Sequence, residues 1–290
     1  MKLGLIPANR GFFSDELAAQ MRTQTIDAMR KAGLEVVVPD EKLTKLGCVE
    51  TLEEAQKTGR LFRDQRVQGI IVAAVNFGDE QAVAFTIKEA ALNVPVLIFG
   101  CQEEEVLTMT TPRRDSFCGL LSIGEALRQT GVKYSVASVP ICYPSDKSFA
   151  EDLTWFAGVC RVVNGIRNAR YGQIGMRPDG FWTCRTNEKA LQKLGVTTVD
   201  LDLSEAIAAV NNMDPNLPEV KKIEGQIAAQ CDMSGAPAQA LSKIARLEKF
   251  LRDFIKEKQL NAIAFQCWTS LQHNLGICSC STMGRLGDSG

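Results

Sequence analysis

Apolar positions in the first half of the chain alternate between short continuous runs and stripes of helical spacing. LGLIP (3–7) reads as a strand, and Leu17, Met21, Ile26 and Met29, behind Ser14, form a helical stripe that Gly33 closes. EVVVP (35–39) follows as a second strand, then a helix over about 49–66. GIIVAAV (69–75) and VPVLIFG (94–100) are apolar throughout, as strands covered on both faces are, and a helix over 79–92 separates them. A helix-rich connection spans 101–131, and KYSVASV (133–139) is a fifth strand.

PICYPSD (140–146), with two prolines, marks a domain boundary, and a helix over about 149–170 bridges into the second half. There the strand-like runs are YGQIGM (171–176), TTVDLD (197–202) and NAIAFQC (261–267). Helical runs fall near 205–210, 219–229 and 238–258. This rhythm predicts an α/β chain of two Rossmann-like or flavodoxin-like domains, each a parallel sheet covered by helices. The first is expected over 1–146 and the second, smaller one over 147–290.

The length, 290 residues, agrees with two domains. Lys+Arg 33 against Asp+Glu 34 leaves a net charge of −1, which gives no hint of a nucleic-acid partner. No segment approaches the ~18 apolar residues that a membrane span needs. One Lys before a short apolar run broken at Pro7 reads as a first strand and not a leader, so a cytoplasmic location is expected. Ten scattered cysteines then read as free thiols, and Cys278 and Cys280 with His273, the sole histidine, make a poor zinc pattern. Neither G-x-G-x-x-G nor a Walker A sequence occurs, so nothing supports nucleotide binding.

Ligands of parallel sheets sit beyond the carboxyl ends of the strands. In the first half those ends carry Arg10, Phe12 and Phe13, then Asn76 and Phe77. In the second half they carry RPDGFWTCR (177–185), Asp200 and Asp202, and QCWTSLQ (266–272). Aromatic rings beside polar groups suit a sugar, whose C–H faces stack while its hydroxyls need directed partners. Plainer readings compete at each place. Phe181 and Trp182 also fit a lid over a core, Asp202 fits a helix cap, Arg10 fits a surface charge, and Gln266 and Trp268 fit strand-end packing.

The run 169–207, ARYGQIGMRPDGFWTCRTNEKALQKLGVTTVDLDLSEAI, resembles the start of the second domain of the L-fucose/L-arabinose isomerase-like family. The tail 262–290 is similar to the segment before that family's first metal-binding glutamate, and NRGFF (9–13) and AAVNFGDE (73–80) are similar to its first-domain loops. The resemblance implies an aldose–ketose isomerase in which a divalent cation, usually manganese, stabilises an ene-diol while two carboxylates move a proton. It implies Arg10, Phe12, Asn76, Phe77, Arg177, Phe181, Gln266 and Trp268 as sugar-binding residues, and a homo-oligomer whose active sites are shared between subunits. By the same resemblance the acid–base carboxylates and metal ligands fall beyond Gly290. No catalytic or metal residue is therefore expected within the chain, which reads as a fragment without turnover or manganese binding of its own.

Two other readings remain open. A non-catalytic, two-lobed sugar-binding or regulatory module has the same strand–helix rhythm. A two-cysteine racemase would use Cys101 and Cys267, each after an apolar strand.

Overall fold

The computed structural model describes residues 1–237 and 239–290. Packing gathers the chain into two compact units, Met1–Gly165 and Ile166–Gly290.

In the first unit the elements run β1 (Lys2–Ala8), α1 (Asp15–Lys31), β2 (Glu35–Val37), α2 (Leu52–Gln65) and β3 (Ile70–Ala74). They continue as α3 (Glu80–Ala90), β4 (Val96–Cys101), α4 (Ser116–Gln129) and β5 (Ser135–Cys142), with α5 (Lys147–Arg167) last. Local signals set the helix starts. The Ser14 hydroxyl accepts from the Leu17 N–H at 3.3 Å, and Thr51 with Glu54 forms a reciprocal capping box at α2.

All five strands are parallel, in the order β2-β1-β3-β4-β5, which is the flavodoxin-like order. Alternate residues of β1 part to opposite faces. Leu3 and Leu5 join Met21, Met29, Phe99, Phe149 and Phe156 on one side. Ile6 and Ala8 join Phe62, Val72, Ile123 and Leu127 on the other. Each fully buried side chain of this size contributes roughly 1.5–3 kcal/mol, which explains why β3 and β4 are apolar at every position. α5 was expected to bridge into the second half, but its Phe149, Leu153, Phe156 and Cys160 pack on the first sheet. β5 continues through Pro140 into the stretch read as a boundary, because an edge strand tolerates a residue that cannot donate to a neighbour.

The second unit runs β6 (Arg170–Ile174), α6 (Glu188–Lys193), β7 (Thr197–Leu201), α7 (Leu203–Asn212) and α8 (Pro218–Gln230). It closes with α9 (Ala240–Lys258), β8 (Ala262–Phe265), α10 (Ser270–Leu275) and α11 (Cys280–Asp288). Ala238, where the α9 run was expected to begin, lies outside the described residues. Three parallel strands form the sheet, in the order β7-β6-β8. Ile174, Leu203, Leu247, Leu251, Leu271 and Leu275 build its core. Fully buried Glu248 of α9 accepts from Arg285 of α11 at 2.7 Å and pairs with Arg252 at 2.9 Å, so α11 is held by charge as well as by packing.

Candidate functional site

The order β7-β6-β8 makes the chain leave β6 toward β7 on one side, while β8 arrives on the other. The loops after β6 and β8 therefore diverge, and a crevice opens between their carboxyl ends. A cavity of about 340 Å³ lies there, within the range of small-ligand pockets.

Its walls are the two loops singled out in the sequence. Gln266 stands directly after β8, and its backbone N–H donates to the Ile174 carbonyl at 2.8 Å, continuing the strand pairing. Its side-chain Oε1 accepts the Met176 N–H at 2.6 Å, which binds the β6 loop to the β8 loop. Gly175 makes this closeness possible. Its φ is +79°, and a Cβ there would sit 2.5 Å from Gln266 Oε1. Phe181 and Trp268 meet edge to face, 5.6 Å between centroids, on the rim. Arg177 donates to Gln173 Oε1 at 2.9 Å and has Glu188 at 3.9 Å.

All four second-half residues expected to bind a sugar, Arg177, Phe181, Gln266 and Trp268, thus line one cavity. Sequence reading missed Gln173, Met176 and Thr186, which line it too, as does Cys184 of the singled-out loop 177–185. A polar residue inside strand β6 was the only hint of Gln173. Trp182 is 83% exposed and is not among the lining residues. Asp202 caps α7 by accepting from the Ser204 N–H at 2.7 Å, the plainer of its two readings. A second, more polar hollow of about 600 Å³ lies beside the first; Asp202, Ser204, Asn211 and Asn274 line it, and it shares Gly175, Met176 and Gln266.

The first sheet has the same kind of divergence between β1 and β3, with β2 on the far side of β1. Arg10, Asn76 and Phe77 converge there. Buried Asn76 accepts from the Arg10 and Gly78 N–H groups at 3.1 and 3.0 Å and donates to Asn9 Oδ1 at 2.7 Å. Asn9 in turn donates to Glu50 at 3.0 Å. The Arg10 guanidinium donates to the Gly78 carbonyl at 2.8 Å, pairs with Glu80, and lies 4.8 Å from the Phe77 ring centroid. Phe12 is 79% exposed and touches this cluster through Phe13, whose ring stacks with Phe77. Asn9 and Glu80 fall within the runs NRGFF and AAVNFGDE picked out in the sequence but were not among the residues expected to bind, and Glu50 lies outside both runs.

The cysteines divide by burial. Cys101 is fully buried at the end of β4, and desolvation pushes its thiol well up, so it is not poised as a thiolate nucleophile. The racemase reading loses one of its two bases. Among the described residues no group of three or more His, Cys, Asp or Glu side chains could hold a metal ion, and no helix is long and apolar enough to cross a membrane.

The sequence profile described as fucose/sulfoquinovose isomerase, N-terminal domain, matches residues 4–167. The chain belongs to that family. A sulfoquinovose isomerase of Priestia aryabhattai is 23% identical over 288 residues, covering 98% of this chain and 61% of its own length. One from Alkalicoccus urumqiensis is 26% identical over 220 residues, covering 75% of this chain and 47% of itself. The chain thus spans about three fifths of the length of the first of these relatives. A periplasmic solute-binding protein of Actinobacillus succinogenes matches with a TM-score of 0.24 and 11% identity, covering 91% of this chain and 77% of its own, a likeness that carries no argument.

Proposed function

We propose that the chain supplies the sugar-binding part of an aldose–ketose isomerase acting on a fucose- or sulfoquinovose-like sugar. The observation that carries this reading is the β6–β8 crevice, where an aromatic edge-to-face pair, two glutamine side chains and one arginine surround a cavity of monosaccharide size. The name of the relatives, sulfoquinovose isomerase, supports it. Phe181 and Trp268 offer ring surface to C–H faces, and Gln173 and Gln266 offer amides to hydroxyls. Arg177 offers a positive charge with free donor capacity, suited to an anionic substituent.

Isomerisation in this family would use a divalent cation, manganese foremost, and two carboxylates. The residues lining the crevice include neither a carboxylate nor an imidazole, so they do not fit such a metal. On this reading the present residues bind and orient the sugar and shield it from water, and the acid–base and metal-binding groups come from chain beyond these 290 residues. The loops bearing Arg10, Phe12, Asn76 and Phe77 are proposed to complete the sugar site of a neighbouring copy in a cytoplasmic homo-oligomer. A crevice lined by neither a carboxylate nor an imidazole also suits a non-catalytic binding module, and a turnover assay separates the two.

Isothermal titration of the chain with sulfoquinovose and with L-fucose tests the proposal. Binding is expected, with Arg177→Ala weakening the sulfonated sugar at least ~10-fold and the uncharged one far less. Absence of binding for both sugars would overturn it. Attaching the segment that follows in a full-length relative should restore manganese-dependent turnover if the isomerase reading holds, and should leave binding without turnover if the module reading does.

A further inference from the structure

Two cysteines that play no part in sugar binding are brought to one side chain by a short helix. Cys267 follows β8 and lines the crevice, between Gln266 and Trp268. Cys278 lies in the turn between α10 and α11. α10 carries the chain from one to the other. Its Leu271 and Leu275 are buried in the core, and Gly276 then turns the chain back with φ +69°. Ile277 re-enters the same core, and the Leu275 carbonyl accepts from Lys243 Nζ of α9 at 2.8 Å, so the turn is pinned at both places.

Gln272 of α10 stands between the two sulfurs. Its amide nitrogen donates to the Cys267 and Thr269 carbonyls at 2.8 and 3.0 Å, since the reverse orientation would aim oxygen at oxygen. The amide oxygen is left 3.1 Å from Cys267 Sγ and 3.6 Å from Cys278 Sγ, where it accepts from both thiols. Sulfurs that reach one common atom are within a side-chain rotation of each other, because a change of rotamer carries a thiol sulfur through roughly 3 Å. Cys267 is half-buried and Cys278 exposed, so an oxidant has access to the pair. Cys101 and Cys142 are also neighbours, directly opposite on β4 and β5, but both are buried and closed to any oxidant.

We propose that Cys267 and Cys278 are a dithiol–disulfide pair, oxidised by peroxides, in the wall of the crevice. Exposed Cys278, as thiolate, attacks a peroxide oxygen. The O–O bond breaks, the sulfur becomes a sulfenic acid, and the departing oxygen takes a proton and leaves as water. Cys267 then attacks that sulfur, the S–S bond forms, and the sulfenic oxygen leaves as a second water. Two thiols and one hydrogen peroxide thus give one disulfide and two waters, and an added dithiol reverses the change. The new bond expels the Gln272 amide from between the sulfurs and draws Cys267 toward the α10–α11 turn. Its chain neighbours shift with it: Gln266 holds the Met176 N–H, and Trp268 meets Phe181 on the rim. Loss of sugar affinity on oxidation rests on the binding function proposed above, whereas the sulfur–sulfur bond does not.

Treatment of the 290-residue protein with hydrogen peroxide, then iodoacetamide, digestion and non-reducing mass spectrometry, tests this. A peptide pair joined through Cys267 and Cys278, two hydrogens lighter and released by dithiothreitol, is expected. It should persist in Cys280→Ser and vanish in Cys278→Ser. Titration calorimetry should then show sugar affinity falling ~10-fold on oxidation and returning on reduction, while Cys278→Ser keeps its affinity under peroxide. Circular dichroism verifies that each variant is folded. Peroxide that leaves Cys267 unbonded, or joins Cys278 to Cys280 instead, overturns the pair. A bond that forms and leaves affinity unchanged overturns its control of the crevice. A bond that forms in a protein that binds no sugar even when reduced upholds the pair and overturns the binding function instead.

Discussion

Gln266 and Met176 are joined across the mouth of the second-unit crevice, side-chain oxygen to backbone N–H, at 2.6 Å. A strand end thereby holds the neighbouring strand's loop without a side chain from that loop. Removing the acceptor with Gln266→Ala frees the Met176 N–H. Gly175→Ala should have the same effect from the opposite side, since its Cβ would displace Gln266 Oε1 and its φ of +79° disfavours any side chain. Both variants are expected to lose sugar affinity by about 10-fold or more while the protein stays folded, by titration calorimetry and circular dichroism. Unaltered affinity in both would remove this bond from the binding site.

In the first unit Asn76 is the pin of the β1–β3 loops. Asn76→Ala deletes its bonds to Arg10, Gly78 and Asn9 and leaves a buried amide oxygen of Asn9 unpaired. A loss of about 2–4 kcal/mol is expected from the first unit's unfolding transition in calorimetry, with faster exchange of the Arg10 and Gly78 amides. A transition unmoved by the substitution would count against this role.

Glu248 is the corresponding pin of the second unit. Glu248→Ala strands Arg252 and Arg285 beside an empty buried position, so the second transition should weaken by about 2–4 kcal/mol, discounted for the partly exposed arginines. The first transition should not move. Equal effects on both transitions would contradict the division of the chain at Gly165.

Thiol reactivity should follow burial and pH. Desolvation raises Cys48, Cys142 and Cys160 to about 12 and pushes the Cys101 thiol up as well, so each is protonated at pH 8. Iodoacetamide at pH 8 is expected to modify exposed Cys118, Cys184, Cys231, Cys278 and Cys280 and to spare these four until the protein unfolds. Mass spectrometry of the labelled peptides checks it; early labelling of Cys101 would be incompatible with its burial.

Much of the fold is legible from the chain because burial on both faces leaves β3 and β4 no polar position, and because Ser14 and Asp79 stand where the helices they cap were expected to begin. Short elements are harder. α10 and α11 bury few residues, and their starts lack side-chain caps, so no periodic signal marks them. Site residues divide in the same way. Arg10, Asn76, Gln266 and Trp268 stand at strand ends where topology forces loops apart, and strand ends are visible in a hydrophobicity pattern. Asn9 and Glu50 matter through pairing over 41 residues of sequence, which no local pattern carries.

Gly175, Met176 and Gln266 belong to both hollows above the second sheet. They form a partition one backbone strand and one amide thick. Space on either side of such a partition is traded and not added: a bulkier ligand that pushes it from the aromatic chamber narrows the polar one. Redesign for a larger sugar would therefore begin at the outer walls, at Cys184 and Thr186 or at Asn211 and Asn274, and leave the dividing wall untouched.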